Sequence, residues 1–364
     1  LIAGADAAAV ALCRTKGYSR PDWAAPGAPR LLAAAGAWRH PFAVARGRDP
    51  FAPRVQHATA TVGGRVYCFG GLGDDGRPTN ALDVLELSAD RTVARWVPFA
   101  TTGDIPPAAE NVRMTAVELL DGRQYLVVSC TWRQVVPPTD PSSFYVLDMS
   151  SRCWTRYAGP LTDCAHLAAL DIDGRPHVVT INDSLEVFWV IDAERLVSGD
   201  STMVWPLAWA RAEVCDGVPF SPCEGEAAVV VGDTIVVCGG RTHFLNEAIG
   251  LTLFKNSADE YFVSYDTWSC PNGRSYVRRS HHAAVALADG SILVVGGLEG
   301  GRSATDAYVI RHHEDPVPFD ALGEPGHRVA AAAARIGDAV VLIGGQGALE
   351  RRGDVDVLVL PSAA

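Results

Sequence analysis

The chain has 364 residues, of which 48 % are hydrophobic and 20 % are charged, a balance typical of a globular protein with a large core. Its formal net charge of −11 disfavours nucleic acid as a partner, because proteins that bind nucleic acids usually carry a basic face. No run approaches the roughly 20 apolar residues that a membrane-crossing helix needs. We therefore predict a globular protein that does not span a membrane.

The first 35 residues differ from the rest of the chain. An alanine-rich stretch, "ADAAAVALCR", predicts a short helix, and the proline-broken "RPDWAAPGAPR" predicts a linker. We expect residues 1–35 to form an extension and residues 36–364 to form the main domain. The chain begins at Leu1 without the charged segment of a secretory signal. We predict a cytoplasmic or organellar protein, with the mitochondrion as an option if Leu1 is a processed N-terminus.

Nine cysteines are scattered along the chain without any C-x-x-C pair, so a zinc ribbon is not expected. Cys68 and Cys238 lie inside apolar strands. The set predicts reduced, buried thiols in an intracellular compartment rather than a disulfide framework.

A strand–turn–strand unit occurs six times in the sequence. The copies read "HATATVGGRVYCFGG", "MTAVELLDGRQYLVVSC", "HLAALDIDGRPHVVTIND", "EAAVVVGDTIVVCGG", "HAAVALADGSILVVGG" and "RVAAAAARIGDAVVLIGG". Each contains a dipeptide of Gly or Asp that suits a tight two-residue hairpin turn. Four copies end in a glycine pair, whereas the second and third end in Ser129-Cys130 and Ile181-Asn182.

A third and a fourth strand follow in each unit. The predicted third strands are "DVLEL", "FYVLDM", "EVFWVID", "YFVSYD", "DAYVI" and "DVDVLVL". Most are followed by a tryptophan that marks the fourth strand: Trp96, Trp154, Trp205 and Trp268. In the fifth unit, "PVPF" stands in place of the tryptophan segment.

This pattern resembles the Kelch-repeat family. The resemblance rests on the glycine pairs, on Asp83, Asp306 and Asp354 at the start of third strands, and on the tryptophans. The distance from Gly70 to Gly344, divided over five steps, gives a period of about 55 residues, near the Kelch period of roughly 50. The resemblance implies a β-propeller, in which each repeat forms a four-stranded blade around a central axis.

The two ends of the chain complete one another. The sixth unit stops after its third strand, "DVDVLVL", and Trp38 in "GAWRHPFAV" matches the tryptophan of a fourth strand. We therefore predict an all-β, six-bladed Kelch-like propeller whose last blade is closed by an N-terminal strand. Such closure removes a free sheet edge.

Polar residues recur where the innermost strand of each unit begins, around one mouth of the expected central channel. They are His57, Arg113, His166, Glu226, His282 and Arg328. We interpret them as residues that satisfy loop carbonyls or face channel water, with a ring that binds a metal or a small anion as the alternative. A mixed Arg/Glu/His ring suits a metal poorly.

Other sites of chemistry are not expected. The adjacent pairs His281-His282 and His312-His313 would point to opposite faces if each lay on a strand, so neither should converge on one ion. The glycine-rich "GGLEGGRS" lacks the lysine of a phosphate-binding loop. We predict no catalytic residues, no metal and no cofactor.

Two segments between the second and third strands break the repeat. Residues 241–259 and 131–143 read as irregular loops, and apolar loop residues often mark a partner surface. The candidate partner-binding residues are Arg241, His243, Phe244, Leu245, Ile249, Leu253, Phe254 and Trp132.

The sequence favours a non-catalytic interaction or structural subunit over an enzyme, and we expect it to bind other protein subunits through its loops and N-terminal tail. The alternative is a small-molecule enzyme at the channel mouth. This alternative is implied by the resemblance, since sialic-acid mutarotases and nitrile-forming specifier proteins also use Kelch propellers.

Overall fold

A computed structural model describes residues 36–39, 42–43, 51–130, 143–159, 164–182, 185–198, 209–215, 225–240, 248–268, 279–319, 321–322, 326–348 and 350–360. The predicted extension 1–35 lies outside the described residues. The described chain is nearly all β-structure. Its helix, α1, spans only Ala193–Val197, and no described helix has the length and apolar character to cross a membrane.

The strands of the first three repeats follow the N-terminal strands. In chain order they are β1 (Gly36–Arg39), β2 (Phe42–Ala43), β3 (Arg54–Val55), β4 (Ala58–Val62), β5 (Arg65–Phe69), β6 (Leu72–Gly73), β7 (Leu82–Leu87), β8 (Val93–Val97), β9 (Thr102–Gly103), β10 (Arg113–Glu118), β11 (Gln124–Ser129), β12 (Ser143–Asp148), β13 (Cys153–Ala158), β14 (His166–Ile172), β15 (Arg175–Ile181), β16 (Phe188–Asp192) and β17 (Ala210–Val214).

The strands of the last three repeats complete the series. They are β18 (Ala227–Val231), β19 (Thr234–Cys238), β20 (Ala248–Lys255), β21 (Tyr261–Trp268), β22 (Arg279–Ser280), β23 (Ala283–Ala286), β24 (Ile292–Val295), β25 (Leu298–Glu299), β26 (Arg302–Ser303), β27 (Ala307–Ile310), β28 (Val317–Pro318), β29 (Ala321–Leu322), β30 (Ala332–Ile336), β31 (Ala339–Ile343) and β32 (Val355–Val359).

Within the described residues, these strands form six antiparallel four-stranded blades. Blade 1 is β4-β5-β7-β8, blade 2 is β10-β11-β12-β13, blade 3 is β14-β15-β16-β17, blade 4 is β18-β19-β20-β21, blade 5 is β23-β24-β27-β28 and blade 6 is β30-β31-β32-β1. The outer strands of blades 3 and 4 also pair in parallel, Glu213 with Phe262. The innermost strands neighbour one another in a closed cycle, β4, β10, β14, β18, β23, β30 and back to β4.

The N-terminal strand closes blade 6. In β1, Trp38 pairs with Leu358 and Arg39 with Val357 of β32, in antiparallel register. The prediction that the N-terminal segment supplies the missing outer strand is therefore confirmed. The pairing joins the two ends of the domain by backbone hydrogen bonds and covers the edge of β32.

Apolar side chains fill every interface between neighbouring blades. Val66 and Val341 share one core cluster between blades 1 and 6, and Phe69 and Leu126 share another between blades 1 and 2. The four further interfaces hold equivalent clusters. Because each sheet is covered on both faces, its second strand can be apolar throughout, as all five residues of β31 are buried.

The hairpins between the first two strands of each blade follow the Gly/Asp dipeptides, with one difference. Four turns contain two residues, as between Val62 and Arg65, but blades 2 and 5 use longer turns. There the carboxylates of Asp121 and Asp289 accept hydrogen bonds from the backbone N–H groups of Arg123 and Ser291. An Asx turn thus replaces the two-residue turn that we predicted.

The assignment of strands in the fourth repeat was wrong. Residues 248–255, which we predicted to be part of an irregular loop, form β20, the third strand of blade 4. The segment "YFVSYD" belongs to β21, which is the fourth strand and contains Trp268 as predicted. Trp205 lies outside the described residues, and the fourth strand of blade 3 is β17.

The second glycine of a pair is expected to be irreplaceable where it meets the neighbouring strand. Gly71 has φ +97°, and a Cβ added to it would lie 2.7 Å from the carbonyl oxygen of Val55. Gly64 also has positive φ, +74°, but nothing lies within 4 Å of an added Cβ. We predict that Gly71→Ala lowers the free energy of unfolding by about 2 kcal/mol more than Gly64→Ala, since only the first adds overpacking to the backbone strain. Urea denaturation of both variants measures this difference, and equal losses would contradict it.

Candidate functional site at the mouth edge

The six predicted mouth residues all lie where an innermost strand begins. Arg113 and His166 are the first residues of β10 and β14. The other four lie shortly before the innermost strand of their blade along the chain. We call this side of the blades the mouth edge. The predicted shared location is therefore found, but the side chains serve different purposes.

Three arginines near the mouth edge form ion pairs within their own blades. The Arg54 Nη2 atom lies 2.5 Å from Asp83, and the Arg279 Nη2 atom lies 2.7 Å from each carboxylate oxygen of Asp306. Arg328 Nε donates to Asp356 Oδ2 at 2.7 Å. Each pair ties the approach to the innermost strand to the third strand of the same blade.

The ion pair with Asp356 determines the role of Arg328. Its side chain is 1 % exposed, and that of Asp356 is fully buried. The guanidinium also donates to the carbonyl oxygen of Gly344 at 2.6 Å. Arg328 therefore binds its own blade, and its contact with the Gly344 carbonyl is the first of the two roles that we predicted for the mouth residues.

The glycine pairs connect consecutive blades. The N–H of the second glycine donates to a carbonyl at the start of the next blade, as from Gly345 to Arg54 at 3.0 Å and from Gly240 to Arg279 at 2.8 Å. The first glycine leaves room for the next blade. A Cβ at Gly239 would lie 2.4 Å from His282 Cε1, and one at Gly344 would lie 2.8 Å from His57 Cε1.

His57 and His282 are consequently buried in these seams, each 6 % exposed. Burial, helped by the positive charge of Arg54 and then Arg328, lowers the pKa of His57 to about 3. Burial and Arg279 lower the pKa of His282 to about 4, and its Nε2 lies 3.7 Å from Cys238 Sγ. Both imidazoles are neutral packing groups, so they do not present the polar mouth that we expected.

Residues with positive φ support the same edge through backbone hydrogen bonds. Gln56 donates from its N–H to Ala330 at 3.3 Å, Ala330 donates to His281 at 2.8 Å, and His281 donates to Gly225 at 2.6 Å. All of these donors have φ between +54° and +58°, an uncommon conformation that the surrounding contacts must hold. The mouth edge of blades 1, 6, 5 and 4 is thus one chain of backbone contacts.

The other three predicted mouth residues converge. His166 Nε2 lies 3.0 Å from Glu226 Oε1, with side chains 4 % and 7 % exposed. Burial raises the pKa of Glu226, but the contact with His166 and the charge of Arg113 outweigh it and hold the pKa below its usual value. Arg113 also donates through Nε to the carbonyl of Ala165. A cation, an imidazole and a carboxylate from blades 2, 3 and 4 therefore form one cluster.

The predicted partner-binding residues divide into two sets. Ile249, Leu253 and Phe254 lie in β20 and are 0 %, 4 % and 4 % exposed, so they belong to the core and not to a displayed loop. The remaining candidates lie outside the described residues: Trp132, Arg241, His243, Phe244 and Leu245.

Sequence reasoning missed Arg54, Arg279 and Asp356. A signal for the two arginines was present, because each precedes a buried histidine by three residues, in "RVQH" and "RSHH". Their partners Asp83 and Asp306 had been singled out only as the first residues of third strands. The buried cysteines were predicted correctly: Cys68 and Cys238 are free thiols in strands, and burial raises the pKa of Cys238 to about 12.

Comparisons with known proteins agree with this architecture. A family model described as Kelch motif matches residues 53–90. Tip elongation aberrant protein 1 of Schizosaccharomyces pombe is 25 % identical over 218 residues, 56 % of this chain and 17 % of the relative. The chain thus spans less than a fifth of that relative's length. The solved structure of YjhT covers 85 % of this chain and 95 % of its own, with a TM-score of 0.53 and 14 % identity, a likeness of fold alone.

The fold defines the chain as a β-propeller. The motif match over residues 53–90 and the repeat pattern make the chain similar to Kelch-repeat proteins.

The buried pair of Arg328 and Asp356 generates a stability prediction. Replacement of Arg328 by methionine removes the cation of this buried ion pair, and the loss of one member of a buried pair typically costs about 3–5 kcal/mol. Arg123→Met removes an ion pair with Asp121 in which both side chains are exposed, so it should change the free energy of unfolding little. Chemical denaturation of both variants provides the measurement. A similar, small effect in each would show that the buried pair contributes nothing beyond a surface pair.

The buried histidines generate a pH prediction. The folded-state pKa of His57 is about 3, below the unfolded value near 6.5, so the unfolded chain binds the proton more tightly. Stability is therefore full above pH 6.5 and falls as the pH decreases towards 3. Between pH 7.5 and 5.0, each such histidine should lower the free energy of unfolding by about 2 kcal/mol.

The loss of unfolding free energy between these pH values should be smaller by about that amount in His57→Gln. The exposed His327 is the control, because His327→Gln should retain the wild-type dependence; an unchanged dependence in His57→Gln would refute the assignment.

Proposed function

We propose that this chain is a non-catalytic protein-interaction or structural subunit of a larger assembly. The observation that carries the proposal is the internal use of the mouth-edge side chains. His57, His282 and Arg328 hold blades together, which leaves a rigid ring as a platform for connecting segments. Kelch repeats commonly mediate protein interactions. We place this function inside the cell, in the cytoplasm or an organelle.

The mouth edge is also where two long connections begin and end. Ser129 of β11 pairs with Arg113 and with Phe144 at the start of β12. Cys238 of β19 likewise pairs with Ala227 and Ala248. The segments 131–142 and 241–247 therefore join strand ends at this edge. They contain the candidates Trp132, Arg241, His243, Phe244 and Leu245, and rigid scaffolds characteristically carry binding residues on such connections.

We keep an enzyme of the epimerase, mutarotase or specifier type as the second candidate function, because of the cluster of Arg113, His166 and Glu226. A cation beside an imidazole–carboxylate pair can bind an anionic or hydroxylated small molecule and move a proton. The same cluster also satisfies its own charges, through the 3.0 Å His166–Glu226 contact. Interaction with protein partners is therefore the function that we favour.

Quantitative affinity purification tests the proposal. We compare the wild-type chain with the double variant Phe244→Ser/Leu245→Ser and with Leu120→Ser as the control. Leu120 is 67 % exposed and lies in the turn between β10 and β11, at the opposite edge. We expect at least one partner to be lost from the double variant and retained by Leu120→Ser and by Glu226→Gln.

Two outcomes would contradict the proposal. Recovery of the same proteins with every variant would show that the connection at 241–247 does not bind them. Recovery of the wild-type chain alone, together with accelerated anomeric exchange of a reducing sugar that Glu226→Gln abolishes, would favour the enzyme.

A further inference from the structure

Three metal-ligating side chains meet on the seam between blades 4 and 5, apart from the mouth cluster. Asp266 lies on β21, the outer strand of blade 4. His312 and His313 follow β27 of blade 5, in the turn that leads to β28. The prediction that these histidines point apart was wrong, because it assumed that they lie on a strand.

The turn brings the two imidazoles together. His313 has φ +53°, in the left-handed region that non-glycine residues seldom adopt. This conformation places the ring centroids of His312 and His313 only 3.8 Å apart. Adjacent histidines can therefore offer ligand atoms to one ion here, which two neighbours on a strand could not do.

The carboxylate completes the set from the other blade. His312 Nε2 lies 2.5 Å from Asp266 Oδ2. One ligand atom from each of Asp266, His312 and His313 can be chosen so that all lie within 4.8 Å of one another. Tetrahedral coordination at bonds of roughly 2.0–2.2 Å needs ligand atoms about 3.4 Å apart, so small rotations of the two exposed side chains suffice.

The surroundings hold one ligand firmly and leave the others accessible. The His312 ring packs edge-on against Trp268 at 5.3 Å, and Trp268 is only 1 % exposed. Asp266 and His313 are exposed, so water can fill the remaining coordination positions. The nearest arginine on the turn, Arg311, lies 3.5 Å from Asp289 and 3.9 Å from Glu314, which offsets its charge.

We propose that Asp266, His312 and His313 bind a divalent transition-metal ion of the class that prefers imidazole, represented by Zn²⁺. Two imidazoles and a carboxylate form a donor set that suits zinc or copper and not magnesium. The ion takes the place of the hydrogen bond between His312 Nε2 and Asp266 Oδ2, because both atoms become its ligands. Bound in this way, it fastens the outer strand of blade 4 to the outer turn of blade 5.

Zinc titration of the full chain tests the site. Isothermal titration with ZnCl₂ and thermal unfolding with and without Zn²⁺ are measured for wild type, His313→Asn and His327→Asn. Asparagine tolerates positive φ, so His313→Asn removes the ligand while the turn conformation is preserved. His327 is an exposed histidine outside the cluster and is the matched control.

We expect the wild type and His327→Asn to bind Zn²⁺ with equal affinity and to unfold at a higher temperature in its presence, since a ligand of the native state stabilises it. We expect His313→Asn to lose at least tenfold in affinity and to lose the shift in unfolding temperature. Mg²⁺ should have no effect on any of the three.

Either of two results would overturn the proposal. Equal zinc affinity in the wild type and His313→Asn would assign the ion to other residues, such as the free cysteines. The absence of any zinc-dependent heat or temperature shift in the wild type would show that the three side chains do not bind it. Circular dichroism of each variant without metal establishes that the fold is intact.

Discussion

The close approach of each blade to the start of the next is the constraint on which the rest of the structure depends. Gly71, Gly240, Gly297 and Gly345 each donate a backbone hydrogen bond to a carbonyl in the segment that leads into the following blade. Such an approach requires positive φ and leaves no space for a Cβ, as the 2.5 Å from an added Gly239 Cβ to the Arg279 carbonyl shows. The glycine pairs of the sequence are therefore the points at which the ring is joined.

This constraint determines what the neighbouring polar residues can do. His57 and His282, which follow two of these joints, are buried against the preceding blade, so desolvation keeps them neutral. The arginines at the same joints are held by aspartates of their own blades. Side chains that look like a ligand-binding ring in the sequence are, in blades 1, 5 and 6, part of the packing between and within blades.

The ring is not uniform, and its irregular half is where binding to other molecules is expected. Blades 2 and 3 lack glycine pairs at the ends of their second strands. Arg113, His166 and Glu226 from blades 2, 3 and 4 meet there, and both long connections at the mouth edge belong to blades 2 and 4. We propose that these residues and connections, rather than the buried joints, carry the binding function.

Much of the architecture could be predicted, because turn chemistry and apolar strand pattern are local properties. Closure by the N-terminal strand could be predicted because the sixth repeat stops after its third strand and Trp38, near the N-terminus, matches the tryptophan of a fourth strand. The third strand of blade 4 could not be identified in this way. Its apolar residues Ile249, Leu251 and Leu253 look the same in an exposed loop as in a strand covered on both faces, and only the neighbouring blades decide between the two.

The sequence by itself determined the repeat, the positions of the turns and the joints, since each depends on residues close together in the chain. Only the tertiary structure decided which polar groups meet. Arg328 and Asp356 are partners because one blade folds back on itself, and Asp266 reaches His312 because two blades pack side by side. Such contacts join residues that are far apart in the sequence, and no local sequence pattern indicates how close they lie in space.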